Sequence, residues 1–175
     1  MSIAKMKQSI FSALFGFLAM VAVAGPAAAD PLPAPTEKPI LTISGKIGTT
    51  NKNGEAQFDR PMLEALGLVT VETSTPWYNG PVKFEGVSLD KLMKLVGASG
   101  ERAVVVALND YSSEIPIADF AKYNVILALK RNGEYMPVKD KGPLFVIYPF
   151  DSMPELKSQT YYGRAVWQVA KIVIK

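Results

Sequence analysis

The sequence predicts an α+β domain of mixed β-sheets with a few short helices, and three features carry that expectation. Short apolar, β-branched runs recur along the chain, among them Ala103–Leu108, Val125–Lys130, Leu144–Tyr148 and Ala165–Ile174, and most are bounded by Gly, Pro, Asn or Asp. Two stretches, after Asp59 and after Ser88, switch to the three-to-four residue apolar spacing of a helix. Between two of the strand-like runs stands Asn132-Gly133, a strong signal for a tight hairpin.

Taken in order, Asp30 to Pro39 holds four prolines in ten residues, which favours an extended tether over a packed element. Ile40, Leu41, Ile43, Gly45 and Ile47 have strand composition, and the polar run Thr49 to Gly54 reads as a loop. Asp59 caps a short helix with Pro61 in its first turn and Met62, Leu63 and Leu66 on one side, closed by Gly67. Leu68 to Thr73 is a strand, followed by an irregular stretch through Pro76 and Gly80. Ser88 caps the clearest helix, with Leu89, Leu92, Met93, Leu95 and Val96 on its apolar side and Gly97 at its end. Ala103–Leu108 is a strand of buried type, Ser113–Pro116 an extended piece, and Ile117–Tyr123 one helical turn. The hairpin pairs Val125–Lys130 with Tyr135–Val138, and Leu144–Tyr148 and Ala165–Ile174 supply two more strands. No internal repeat and no internal domain boundary are visible, and the length suffices for a complete core without staples.

Lys5 and Lys7 precede an apolar run from Ile10 to Ala24, broken only by Ser12, and Ala27-Ala28-Ala29 follows. This is the pattern of a secretory signal peptide over residues 1–29, with cleavage expected after Ala29. The run is short of the roughly 20 residues a membrane-spanning helix needs. The expected product is periplasmic, and because both signal lysines leave with the peptide, its net charge falls to about +1. The whole-chain pI near 9.0 thus overstates its basicity. No Lys/Arg cluster interleaved with aromatics is present, so nucleic acid is not an expected partner.

Among 175 residues there is no Cys and no His. A disulfide framework, a thiolate nucleophile, a Ser-His triad and a metal site built on soft ligands are thereby excluded. Neither G-x-G-x-x-G nor a Walker sequence occurs. Asp110, Glu114 and Asp119 form a carboxylate series, yet spacing along a loop and strand fixes no shared geometry, so solvated acids are expected. Asp140 and Asp151 lie in no EF-hand pattern, and no catalytic or metal-ligating residue is assigned.

The informative pattern is the placement of aromatic and polar residues just outside strands. Trp77 and Tyr78 follow one strand, Asn109-Asp110-Tyr111 follows the most apolar one, Tyr148-Pro149-Phe150-Asp151 follows a third, and Tyr161-Tyr162-Gly163-Arg164 precedes the last. Aromatic faces beside amide and carboxylate groups suit a planar heteroaromatic ligand. Trp77 and Tyr111 are the expected stacking residues, Asn109 and Asp110 the edge readers, Arg164 a contact to a carbonyl or hydroxyl, and Tyr148 a further wall. Trp167, inside the expected last strand, reads as core, and Tyr123 and Tyr135 as local packing.

At these residues the sequence resembles a known family. The blocks Phe84-Glu85-Gly86-Val87-Ser88-Leu89-Asp90-Lys91-Leu92-Met93, Leu108-Asn109-Asp110-Tyr111-Ser112-Ser113-Glu114-Ile115-Pro116, Asn132-Gly133 with Met136-Pro137, Lys141-Gly142-Pro143-Leu144-Phe145-Val146-Ile147-Tyr148-Pro149 and Arg164-Ala165-Val166-Trp167-Gln168 are similar, in order, to the sulfite-oxidase-type molybdopterin-binding domain. The likeness spans residues 40–175 and implies that fold, with a pterin-cofactor pocket formed by loops at one end of the sheets. In catalytic members of the family a Cys thiolate ligates molybdenum in the segment corresponding to Thr73, Ser74 and Thr75, and a hydroxyl is a poor substitute on a soft metal. The basic residues that hold the cofactor phosphate in relatives are also missing, apart from Arg164. The Asn109-Asp110-Tyr111-Ser112 and Lys141-Gly142-Pro143-Leu144 blocks resemble those of a cysteine-free periplasmic branch. That likeness implies a pterin ligand, no tightly bound cofactor, and signalling to the periplasmic domain of a membrane-bound protein such as a cyclic-di-GMP enzyme. The alternative it leaves open is a molybdopterin-dependent oxidoreductase without the usual Cys.

Overall fold

A computed structural model describes residues 31–175. The expected signal peptide and its cleavage site lie outside the described residues. Among the described residues ten strands form two sheets, one mixed and one wholly antiparallel: β1 (Leu41–Gly45), β2 (Ala56–Phe58), β3 (Val69–Ser74), β4 (Pro81–Ser88), β5 (Arg102–Ala107), β6 (Ser112–Pro116), β7 (Ile126–Arg131), β8 (Glu134–Tyr135), β9 (Phe145–Ile147) and β10 (Val169–Ile174). Four short helices accompany them: α1 (Arg60–Ala65), α2 (Leu89–Leu95), α3 (Ala118–Lys122) and α4 (Gln159–Arg164).

The first sheet has the order β2-β1-β10-β5-β6, with β1 and β10 parallel and the other pairs antiparallel. The second runs β3-β4-β7-β8, and β9 also pairs with β7. In β7 the residues Ile126–Leu129 are all buried, which is why that strand reads as a continuous apolar run without alternation. β9 is buried throughout. Its free edge meets the segment before β10: the Val146 N–H donates to the Val166 carbonyl at 2.9 Å, and Phe145 bridges to Trp167. This seam ties the two sheets together beside the candidate site.

Local chemistry accounts for several elements. Asp59 Oδ1 accepts from the Met62 N–H at 2.9 Å and caps α1, while Ser88 Oγ accepts from the Lys91 N–H at 3.3 Å and caps α2. Asn132 and Gly133 both take positive φ, 50° and 87°, as the tight turn between β7 and β8 requires. At Gly86 a Cβ would fall 2.2 Å from the Leu127 carbonyl oxygen, so only glycine lets β4 lie this close to β7.

Three expectations change. No element is predicted over residues 81–87, yet β4 there is the longest strand described, and β2 and α4 are further elements that the sequence pattern does not predict. The expected last strand starts later, at Val169, because Gln168 adopts a left-handed φ of 54° that turns the chain before β10 begins. The proline-rich segment 31–39 forms neither helix nor strand, and it is fastened to the domain. Asp59 Oδ2 accepts from the Thr36 N–H at 2.7 Å and the Glu37 N–H at 2.9 Å, and the Asn51 side-chain amide donates to the Pro33 carbonyl at 2.8 Å. Burial by itself would raise the Asp59 carboxyl pKa, but the backbone donors from Glu37, Met62 and Thr36 outweigh it and hold the group below its ordinary range.

Candidate functional site

Three loops and α4 converge at the seam. Residues 75–80 join β3 to β4 and present Trp77, whose ring is held by Phe145 (5.4 Å between centroids), Trp167 (5.5 Å), Tyr162 (6.1 Å) and Phe150 (6.2 Å) in tilted or edge-on contacts. Residues 108–111 join β5 to β6. Asp110 takes a left-handed φ of 65° there, and its N–H donates to the Ala107 carbonyl at 3.1 Å. The Tyr111 N–H donates to Asn109 Oδ1 at 3.3 Å, and the Tyr111 hydroxyl donates to the Gly163 carbonyl of α4 at 3.2 Å. That last bond closes the turn onto the helix.

Between these parts lies a cleft of about 440 Å³, within the range that small-molecule sites occupy. Trp77, Trp167, Tyr111 and Tyr162 give it aromatic walls, and Asn109 and Gln159 supply amides. None of its lining residues is charged. A nearby cation is Lys141, whose Nζ lies 4.9 Å from the Trp167 ring.

Of the residues singled out from the sequence, Trp77, Asn109 and Tyr111 share this cleft. Asp110 is in the same turn but exposed and outside the lining. Tyr148 and Arg164 are elsewhere, and the expectation that they contact the ligand is corrected. Tyr148 is fully buried, with its hydroxyl donating to Asp119 Oδ2 at 2.9 Å. Arg164 points the same way and pairs with that oxygen at 2.7 Å. Arg164 ends α4 between the lining residues Gly163 and Ala165 but is not itself in the lining, and its guanidinium is engaged with Asp119. Asp119, expected as a solvated acid, is buried because these two donors compensate its charge. Burial first, and then the Asp119 carboxylate, push the Tyr148 phenol far above its ordinary range, so it stays protonated.

Gln159, Tyr162 and Trp167 were not foreseen as cleft residues. Trp167 was expected in the core, yet it is 36% exposed, because it sits on the turn ahead of β10 and faces the cleft. Gln159 and Tyr162 are three apart, a spacing that places both on one face once α4 is known to be a helix.

Thr73 and Ser74 end β3, and Thr75 opens the loop that carries Trp77 to the cleft. Thr73 Oγ1 accepts from the Asp151 N–H at 3.0 Å, Thr75 Oγ1 accepts from the Trp77 N–H at 3.4 Å, and the Ser74 N–H donates to Asp151 Oδ2 at 2.5 Å. The Lys157 ammonium, and then the Ser74 amide, lower the Asp151 pKa to about 2. The two threonine hydroxyls are thus engaged with backbone. Among the described residues no three Cys, His, Asp or Glu side chains converge as metal ligands. With hard, engaged oxygens at this segment and no cation in the lining, the residues present do not fit a thiolate-ligated molybdenum centre with its anionic cofactor.

One mixed and one antiparallel sheet, short helices and an aromatic cleft at the loop ends define an α+β domain with a cleft of small-molecule size. Residues 51–151, more than half of the chain, match the family described as oxidoreductase molybdopterin binding domain, and the protein belongs to that family. This is the sulfite-oxidase-type family that the sequence blocks resemble. The match takes in Trp77, Asn109, Asp110, Tyr111 and Tyr148, whereas Gln159, Tyr162, Arg164 and Trp167 lie beyond it. No curated protein matches the sequence.

Proposed function

We propose that the protein is an exported, non-catalytic pterin-binding module in which Trp77, Tyr111, Tyr162 and Trp167 enclose a planar pterin ring. The Asn109 and Gln159 amides read its amino-oxo edge. The observation that carries this reading is the cleft itself: four aromatic side chains and two amides, uncharged, on a scaffold whose Thr73–Thr75 segment offers only hard hydroxyl oxygens, the two threonine ones engaged with backbone. A pterin is flat, polar at one edge and at most weakly charged, so it calls for stacking and edge hydrogen bonds. Titration calorimetry with reduced and oxidised pterins, together with Trp fluorescence, tests the reading. Saturable heat and quenching that disappear in Asn109→Ala are expected, and neither signal with any pterin would overturn it.

The ligand state would be reported to the periplasmic domain of a membrane-bound signalling protein, such as a cyclic-di-GMP enzyme, through a different affinity of the two states for that partner. Support comes from the branch resemblance at Asn109-Asp110-Tyr111-Ser112 and Lys141-Gly142-Pro143-Leu144. Co-purification from periplasmic extract with and without added pterin tests it, and identical recovery in both would count against coupling. The family assignment also fits a second reading, a molybdopterin-dependent oxidoreductase. Stoichiometric molybdenum in protein isolated from its native cells would establish that reading and displace the first.

A further inference from the structure

The aromatic rings of the cleft continue inward. Trp167 meets Trp77 edge to face at 5.5 Å between centroids, Trp77 meets Phe150 at 6.2 Å, and Phe150 meets Tyr148 at 6.1 Å. The sequence holds two tryptophans, and both stand at the cleft end of this series. Tyr148, fully buried, is the next ring, with Tyr161 at 5.4 Å and Tyr123 at 6.1 Å beyond it, and its phenol donates to a buried carboxylate, Asp119.

Packing alone does not call for this ending. A phenylalanine would fill the same space, and a buried hydroxyl set on a buried ion pair carries desolvation costs that an apolar core avoids. The surroundings also distinguish Tyr148 from the other phenols. Tyr78 connects to Trp77 through Phe84 and Phe145, but its ring lies 4.5 Å from the Arg131 guanidinium and 5.5 Å from Lys141. Arg164 lies 5.2 Å from the Tyr161 ring and Lys122 4.4 Å from that of Tyr123. A cation over a ring opposes the loss of an electron from it. Tyr162 meets Trp77 at 6.1 Å and Phe150 at 5.1 Å with no cation over its ring, but its hydroxyl has no carboxylate acceptor among the described residues; among these phenols, Tyr148 combines such an acceptor with a ring free of a cation among the described residues.

We propose that Trp167, Trp77, Phe150 and Tyr148 form a one-electron relay, in which an oxidising equivalent reaching the cleft tryptophans is passed inward and comes to rest on Tyr148 as a phenoxyl radical. A small inorganic oxidising radical that diffuses into the cleft removes an electron from the indole and is reduced to its anion, and the indole releases its N–H proton to water. Tyr148 then gives an electron to the indolyl radical, the phenolic proton moves onto Asp119, and the indole regains a proton from water. In sum one oxidant is reduced, one phenol is oxidised, and one proton has moved from Tyr148 to Asp119. Phe150 bridges the transfer without being oxidised. The relay is independent of which ligand the cleft takes.

Pulse radiolysis of the folded protein with azide radical, a one-electron oxidant that attacks indoles, tests the relay. The tryptophan radical absorption is expected to convert to phenoxyl absorption with a first-order rate that does not depend on protein concentration. Tyr148→Phe should form the tryptophan radical as before and lose the conversion, whereas Tyr135→Phe, whose exposed ring lies outside the series, should keep it. Phe150→Leu keeps both ends and should slow the conversion, which guards against a Tyr148 variant that fails to fold. No conversion in the native protein, conversion at the native rate in folded Tyr148→Phe, or conversion at the native rate in Phe150→Leu would each overturn the proposal.

Discussion

Replacing Arg164 with methionine keeps the aliphatic stem and removes the charge that compensates Asp119. The pair is 2.7 Å apart, with the Arg164 side chain 22% and the Asp119 side chain 11% exposed. Breaking a buried pair from one side costs about 3–5 kcal/mol, because the partner charge stays behind. Partial solvent access and the surviving Tyr148 hydrogen bond lower this here to about 2–3 kcal/mol. Removing the stranded charge as well, in Arg164→Met with Asp119→Leu, should restore part of the loss and leave the Tyr148 hydroxyl unpaired at about 1–2 kcal/mol. Adding Tyr148→Phe should bring the triple variant close to the native protein. Urea unfolding at neutral pH reads these differences: with a slope of about 2 kcal/mol/M, the single variant loses about 1 M in midpoint. A single variant within about 0.5 kcal/mol of native, or a double variant as costly as both singles summed, would refute the compensation argument.

Three further outcomes follow from the same geometry. Asp59→Ala removes the α1 cap, at about 1 kcal/mol, and frees the Thr36 and Glu37 amides, so brief proteolysis should cut within residues 31–37 well before it cuts the domain. Asp59 and Asp151 both have folded-state pKa values below 3.8, so the unfolded chain takes up protons first; their contribution is complete above about pH 5 and is lost as the pH falls through 4 towards 2. Urea midpoints from pH 5 to 2 should decline accordingly, and Asp151→Asn should flatten the decline. Tyr111→Phe removes the bond to the Gly163 carbonyl and should weaken pterin binding about two- to tenfold by calorimetry with little change in urea midpoint; unchanged affinity would show that this closure of the turn onto α4 is not used.

The elements set by local chemistry were legible: Asp59 and Ser88 as caps, Asn132-Gly133 as a turn, and β5, β7 and β9 as apolar runs. β4 was hidden although Val82 and Phe84 alternate with Lys83 and Glu85, because the register slips between Glu85 and Gly86 and the alternation changes phase before Val87. α4 has no side-chain cap and contains Gly163, so tertiary packing must hold it, and a sequence window cannot show that. In the site, the turn holding Asn109 and Tyr111 and the loop holding Trp77 were visible as aromatic loops after strands, but their union depends on the β9 seam. Arg164 and Tyr148 were drawn to the ligand because a charge and a phenol near a loop suggest contact. Both are turned towards Asp119, which a string of residues does not reveal.

β10 is the keystone of the first sheet: it separates and joins β1 and β5, and it comes last of the ten strands in the chain. During vectorial synthesis the β2-β1 hairpin and the β5-β6 hairpin therefore wait as two half-built edges, with nothing between them to complete either. Closure pairs Thr42–Gly45 with residues more than a hundred positions downstream, so the slow step is expected to be a late, all-or-none insertion rather than gradual growth from one end.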